Sequence, residues 1–192
     1  MGDPVRSSYY TSPADYLAAE RTRTERHEYL AGVVYQMAGA SAGHSRIVGN
    51  LFAALRAQLA SGPCEAFATE LKVRIRTHTA EFHYYPDLTV DCAGIANHAS
   101  FAEQPRVVVE VLSPETERID RGEKLRNYLA LPSLEAYVLV DPLHWAVTVY
   151  ERHEGGWNRE LLTAADAQLR LPCIGCAIPL AVVYERTGLT AS

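Results

Sequence analysis

The sequence of 192 residues predicts an α/β (α+β) domain built on a central mixed β-sheet flanked by helices. Three observations carry that reading. Short runs rich in Val, Ile and Tyr recur along the chain, as in "RVVVEVL" and "EAYVLVDP". One long stretch, His44 to about Ala60, instead repeats its apolar residues at helical spacing. The two kinds of segment alternate along the chain, which favours a sheet covered by helices.

The elements follow in order. Ser12 followed by Pro13, with Asp15 three residues after Ser12, starts a short helix that runs to about Arg23. Ala31-Gly32 between two β-rich runs predicts a hairpin, with Glu28 on its first strand. Ile47, Val48, Leu51, Phe52, Leu55 and Leu59 form the apolar stripe of the long helix, and Gly62-Pro63 stops it. "TELKVRIR" alternates Glu70, Lys72, Arg74 and Arg76 with Leu71, Val73 and Ile75, the pattern of a half-buried strand with a charged outer face. "PDLTVDC" and "RVVVEVL" are two further strands, separated by a polar loop around Gly94 to Gln104. Ser113-Pro114 opens a helix reaching about Ala130, followed by strands in "EAYVLVDP", "AVTVYER" and "WNRELL", and by a last strand, turn and short helix. The boundaries predicted are a loosely attached N-terminus over 1–11, one domain over 12–184 and a tail over 185–192.

Composition narrows the function classes. With 48% hydrophobic and 21% charged residues the chain can bury one real core. Apolar runs long enough to span a bilayer are missing, and "MGDPVRSSYY" lacks the apolar core of a secretory signal, so a cytoplasmic protein with no membrane partner is expected. Cys64, Cys92, Cys173 and Cys176 are too few for a disulfide framework and are expected to be reduced. The C-x-x-C pair Cys173/Cys176 has no second ligand pair for zinc and reads as small buried hydrophobes at a turn. The net charge of −5 excludes a protein that coats nucleic acid through an overall basic surface, though not an enzyme with a locally positive groove.

The chemistry concentrates in "RVVVEVLSPETERIDRGEKLRNY", residues 106–128. Glu110 stands among Val107, Val108, Val109, Val111 and Leu112, where an unpaired carboxylate costs several kcal/mol, so it requires a partner. Period two puts Asp87, Thr89 and Asp91 on one face of their strand, and Glu110 shares a face with Val108 and Leu112 on the next. If the strands are neighbours, Asp87 and Glu110 share a notch suited to a hard cation such as Mg²⁺, or to an arginine such as Arg106 or Arg121. On the following helix Asp120, Lys124 and Tyr128 recur at i, i+4 and i+8, so Lys124 either reaches the notch or simply pairs with Asp120.

These residues bear a resemblance to a known family. "PDL" at 86–88 and "VVVEVLSPET", "ID", "EK", "Y" and "LEAYVLVDP" through 142, together with the earlier "HEYLAGVVYQMAGASAGH", resemble the Uma-type restriction endonuclease family, a branch of the PD-(D/E)XK nuclease-like superfamily. The resemblance spans roughly 12–184 and is most specific over 106–142. It implies a restriction-endonuclease-like core, a homodimer and a divalent metal, Mg²⁺ or Mn²⁺, held by Asp87, Glu110 and the main-chain carbonyl of Val111. Leu112 stands where the superfamily places its lysine, and Lys124 is the implied substitute. Glu70-Leu71-Lys72 has the same E-x-K spacing, but its strand precedes the Pro-Asp pair and it ranks below Glu110.

The function expected is metal-dependent endonucleolytic hydrolysis of phosphodiester bonds in DNA, with Asp87, Glu110 and Lys124 as catalytic residues. Asp120 and Tyr128 are supporting candidates, as are Glu28 and His44, for which a structural role is preferred. Arg74 and Arg76 are candidate contacts to a nucleic-acid backbone. Two rival readings stay open: a catalytically silent dimeric interaction protein that keeps the fold, favoured by Leu112, and a phosphoesterase acting on a small nucleotide.

Overall fold

The computed structural model of the chain describes residues 10–37 and 39–191. In chain order the elements are α1 (Pro13–Glu20), β1 (His27–Leu30), β2 (Val33–Gln36), α2 (Ala42–Leu59), β3 (Glu65–Ala68), β4 (Lys72–Arg76), β5 (Glu81–Tyr84), β6 (Leu88–Asp91), β7 (Phe101–Ala102) and β8 (Pro105–Val111). Then come α3 (Glu117–Ile119), a π-helical turn (Asp120–Lys124) and α4 (Leu125–Leu129), which form one helical segment. The chain ends in β9 (Ala136–Val140), β10 (Val147–His153), β11 (Gly156–Leu162), β12 (Gln168–Leu171), a 3₁₀ turn (Pro172–Ile174), β13 (Cys176–Pro179) and α5 (Leu180–Val183).

Local chemistry explains the ends of these elements. Ser12 caps α1 by accepting a hydrogen bond from the Asp15 amide, and Ser41 caps α2 through the His44 amide. Ala31 at φ 48° and Gly32 at φ 105° make the two-residue hairpin loop, in which both residues need positive φ.

Two mixed sheets are formed instead of one. The larger has the order β11-β10-β9-β8-β6-β3, with only β8 and β9 parallel, and the smaller the order β2-β1-β5-β4-β7. Strands β12 and β13 make a separate pair. The valine run of β8 serves two interiors at once. Val107, Val109 and Val111 join Ile47, Leu51 and Leu55 of α2, whereas Val108 and Leu112 join Tyr128 of α4 and Val73, Ile75 and Tyr84 of the smaller sheet. The larger sheet thus lies between α2 on one face and the helical segment with the smaller sheet on the other. Glu110 points to that second side.

Three expectations need correction. A single sheet was expected, but β5 in "EFHYYPD" and the short β3 and β7 extend the strand set to two sheets. The charged face of "TELKVRIR" is not solvent-exposed at Lys72, which is only 8% exposed because Tyr16 of α1 and Tyr85 cover it. Cys64 and Cys92 are not reduced but joined in a disulfide. They follow directly on the β3–β6 pair Glu65↔Asp91, so antiparallel register places them opposite each other. Cys173 and Cys176 remain free thiols, and burial pushes Cys173 up to about 12, so neither is a reactive thiolate. Of the expected loose terminus 1–11, residues 1–9 lie outside the described residues; the Thr11 amide donates to the Gly32 carbonyl at 3.0 Å. Among the described residues no helix is long and apolar enough to cross a membrane.

Candidate active site

Strand register builds the site. Leu88 pairs with Val109 and Thr89 with Val108, so one step further Asp87 comes opposite Glu110 where β6 begins and β8 ends. The Val111 amide fixes this end by donating to Asp87 Oδ2 at 2.7 Å. Across the interface, Glu28 on β1 enters from the smaller sheet, and its Oε1 accepts the Tyr85 amide at 3.0 Å. The π-helical turn completes the site by directing Asp120 and Lys124 inward, a distortion that helices often adopt at functional positions.

Lys124 is the hub. Its Nζ lies 2.9 Å from Glu28 Oε1, 3.2 Å from Glu110 Oε1 and 3.2 Å from Asp120 Oδ1. The partner that Glu110 requires is therefore a lysine fourteen residues downstream. Neither arginine alternative reaches it, since Arg106 pairs with Glu135 and Arg121 with Glu117. The choice between Asp120 and the notch is also resolved, because the ammonium contacts both. Tyr128 places its hydroxyl 3.5 Å from Glu110 Oε1, and Tyr137 donates to the Asp120 carbonyl at 3.1 Å. His44, in the first turn of α2, sits 3.2 Å from Asp87 Oδ2 through Nε2.

Burial and charge set the protonation states. Burial pushes Glu110 well above the usual carboxylate range; Lys124 opposes this, while Asp120, Asp87 and Glu28 reinforce it. Glu28 is likewise raised by burial, which outweighs Lys124. For Lys124 burial favours the neutral amine, but Glu110, Glu28 and Asp120 overcome it and hold the ammonium well above its ordinary value. Burial opposes the charged form of His44 too, yet its hydrogen bond to Asp87, the Asp87 charge and the Val111 backbone raise it. Burial drives the Tyr128 hydroxyl well up, so it stays a neutral donor.

Four carboxylates, Glu28, Asp87, Glu110 and Asp120, thus face two cationic groups, Lys124 and His44. Asp120 Oδ1 is buried without a hydrogen-bond partner, although Lys124 lies near. This oxygen-rich set with surplus negative charge fits a hard divalent cation. Among the described residues no group of three or more Asp, Glu, His or Cys side chains is arranged to hold a metal ion, and here the Lys124 ammonium occupies the point where Glu28, Glu110 and Asp120 meet.

Arg74 and Arg76 lie elsewhere, on β4. Arg74 stacks on Phe101 at 3.9 Å and pairs with Glu103, and Arg76 is 3.3 Å from Glu81. Several contributors were missed from the sequence. Tyr85 holds Glu28 through its amide, Glu20 accepts the Tyr85 hydroxyl at 3.2 Å, and Tyr84 receives a bond from Asn127 at 2.7 Å. In "EFHYYPD" Phe82 and Tyr84 alternate with His83 and Tyr85 ahead of the Pro-Asp pair, a run too short to mark these residues by itself.

The sheet order and the acidic notch at the adjoining ends of β6 and β8 define a restriction-endonuclease-like α/β fold. The backbone resembles the crystal structure of a putative nuclease belonging to DUF820 from Anabaena variabilis, with a TM-score of 0.73, 18% identity, and coverage of 91% of this chain and 97% of that one. The chain belongs to the Uma2 family, described as "Putative restriction endonuclease", whose model matches residues 13–182. Two Synechocystis sp. proteins are similar along most of their length: slr1290 is 35% identical over 91% of each chain, and sll1609 is 29% identical over 77% of this chain and 84% of that protein.

Proposed function

We propose that the protein is a Mg²⁺- or Mn²⁺-dependent endonuclease that hydrolyses phosphodiester bonds in DNA, and that it acts as a homodimer. The observation that carries the catalytic reading is the buried meeting of Glu28, Glu110 and Asp120 around Lys124, beside Asp87, in a family described as restriction endonucleases. The homodimer rests on the family resemblance.

Asp87, Glu110 and the Val111 carbonyl would hold the cation. When bound, it supplies Lewis-acid polarisation of a phosphoryl oxygen and lowers the pKa of a coordinated water. The chain's own groups do the rest. His44 and the Val111 amide orient Asp87 Oδ2, and Tyr85 orients Glu28. Lys124 stays protonated, which rules it out as a general base and suits it to steady negative charge on a phosphate. The Tyr128 hydroxyl donates to Glu110 and helps keep that carboxylate in place.

One observation favours a second reading. An ammonium contacting three carboxylates is also how a silent scaffold would keep a buried ion cluster satisfied. Plasmid nicking in Mg²⁺ separates the two. Asp87→Ala, Glu110→Ala and Lys124→Ala should each lower cleavage by about a hundredfold or more, the scale of losing one preorganised electrostatic group. Cleavage that persists in all three variants assigns the activity to another site or a contaminant, and its absence in the wild type favours the scaffold.

A further inference from the structure

A DNA strand approaching this site meets more carboxylates than cations, so a positive group at the rim must receive its phosphates. Arg74 and Arg76 of β4 are poorly placed, because their contacts, Phe101, Glu103 and Glu81, all lie away from the carboxylates of the site. Arg26 is better placed. It precedes Glu28 by two residues as the chain enters β1, and its guanidinium lies 5.9 Å from the centroid of Tyr85, the residue whose amide holds Glu28. Lys72 Nζ lies 5.0 Å from the same ring and donates to the Tyr85 hydroxyl at 3.2 Å. Among the described residues that ammonium makes no direct ion pair, but it is buried and linked to Glu20 through the Tyr85 hydroxyl, so it does not serve the rim.

The partner of Arg26 is Glu70, whose side chain is 74% exposed and belongs to the turn after β3. The preceding residue, Thr69, donates its amide to the Asp87 carbonyl at 3.0 Å. The Arg26–Glu70 pair therefore links the chain just before β1, which carries Glu28, to the β3–β4 turn, which is hydrogen-bonded to Asp87. An ion pair this exposed contributes little, whereas a phosphate offers arginine a bidentate, charge-assisted contact.

We propose that Arg26 grips a substrate phosphate at the rim of the site and that this phosphate displaces Glu70. The assignment deepens the phosphodiesterase reading and rests on it for the identity of the ligand, a nucleic-acid strand.

The test is equilibrium binding of a fluorescent oligonucleotide duplex, followed by anisotropy at stepped salt, with Ca²⁺ supplying divalent charge; plasmid cleavage in Mg²⁺ runs in parallel. Arg26→Ala should weaken binding about tenfold and lower the salt slope by about 0.9, the share of one phosphate contact. Arg26→Lys should restore most of the slope, because it restores the charge, and less of the affinity. Glu70→Gln should strengthen binding about two- to threefold by removing the competing carboxylate. Wild-type affinity and slope in Arg26→Ala would overturn the proposal, even if cleavage persists and the hydrolase reading stands. A wild type that binds with the Arg26 dependence but never cleaves leaves the rim assignment in place and removes the hydrolase reading. A wild type that binds no duplex at any salt overturns both.

Discussion

Glu110 gains little from folding without a cation. Its pKa is raised well above the ordinary carboxylate value by burial and by neighbouring carboxylates, so the folded state binds its proton more tightly than the unfolded chain does. The stability this contributes is fully present below the unfolded value and is lost as pH rises through the raised folded value. The metal-free protein should therefore have a lower Tm at about pH 8 than at about pH 5.5, and Glu110→Gln should flatten that decline while abolishing cleavage. Thermal unfolding across this pH range in chelator checks it; an unchanged decline in the variant would contradict the assignment. Lys124 is shifted in the same direction, but from an ordinary value already above that window, so three carboxylates keep it charged throughout it. At this scale the sequence was informative where a residue conflicted with its surroundings. Glu110 stood out because a carboxylate in a valine run demands a partner, and Lys124 and Asp120 followed from helical spacing. Tyr85 and Arg26 carried no such conflict. An aromatic and an arginine near a strand end look ordinary until the second sheet places them beside Glu28.

The elements position these groups by packing, and α2 contributes most. Ile47, Leu51 and Leu55 are fully buried against the larger sheet, and the same helix begins with His44 beside Asp87. Leu51→Ala should cost about 2 to 5 kcal/mol by leaving a cavity, measurable by urea unfolding, with the α-helical signal retained below the transition. A cost under about 1 kcal/mol would mean that the helix packs less tightly than described. The long helix and the hairpin were legible because periodicity and turn chemistry are local. Strands β3, β5 and β7 were not, being four, four and two residues long, too short to establish a period of two against the surrounding loops. The π-helical turn was hidden as well, because "DRGEK" fits an ordinary helix and only the buried contacts of Lys124 call for the wider turn.

Across the whole molecule, two sheets and one covering helix leave the notch at an internal seam, with Glu28 supplied by one sheet and Asp87 and Glu110 by the other. The Cys64–Cys92 bridge closes a separation of 28 residues that contains β3, β4, β5 and β6, and it joins the ends of β3 and β6, paired strands of the larger sheet. Reducing it, or substituting Cys64→Ser, should lower stability by about 2 to 4 kcal/mol, read as a lower urea midpoint in dithiothreitol. An identical midpoint under both conditions would show that the bridge does not form in solution. The pairing could not be read from the sequence, since it depends on the register of β3 against β6. The surplus of buried carboxylates is the reason a divalent cation is proposed here. Anomalous scattering from crystals soaked in Mn²⁺ tests it most directly. A single strong peak is expected within about 2.0 to 2.6 Å of both the Asp87 and Glu110 carboxylates, the range of hard-cation ligand bonds. A seam with no peak, with Lys124 still bridging Glu28, Glu110 and Asp120, would contradict it.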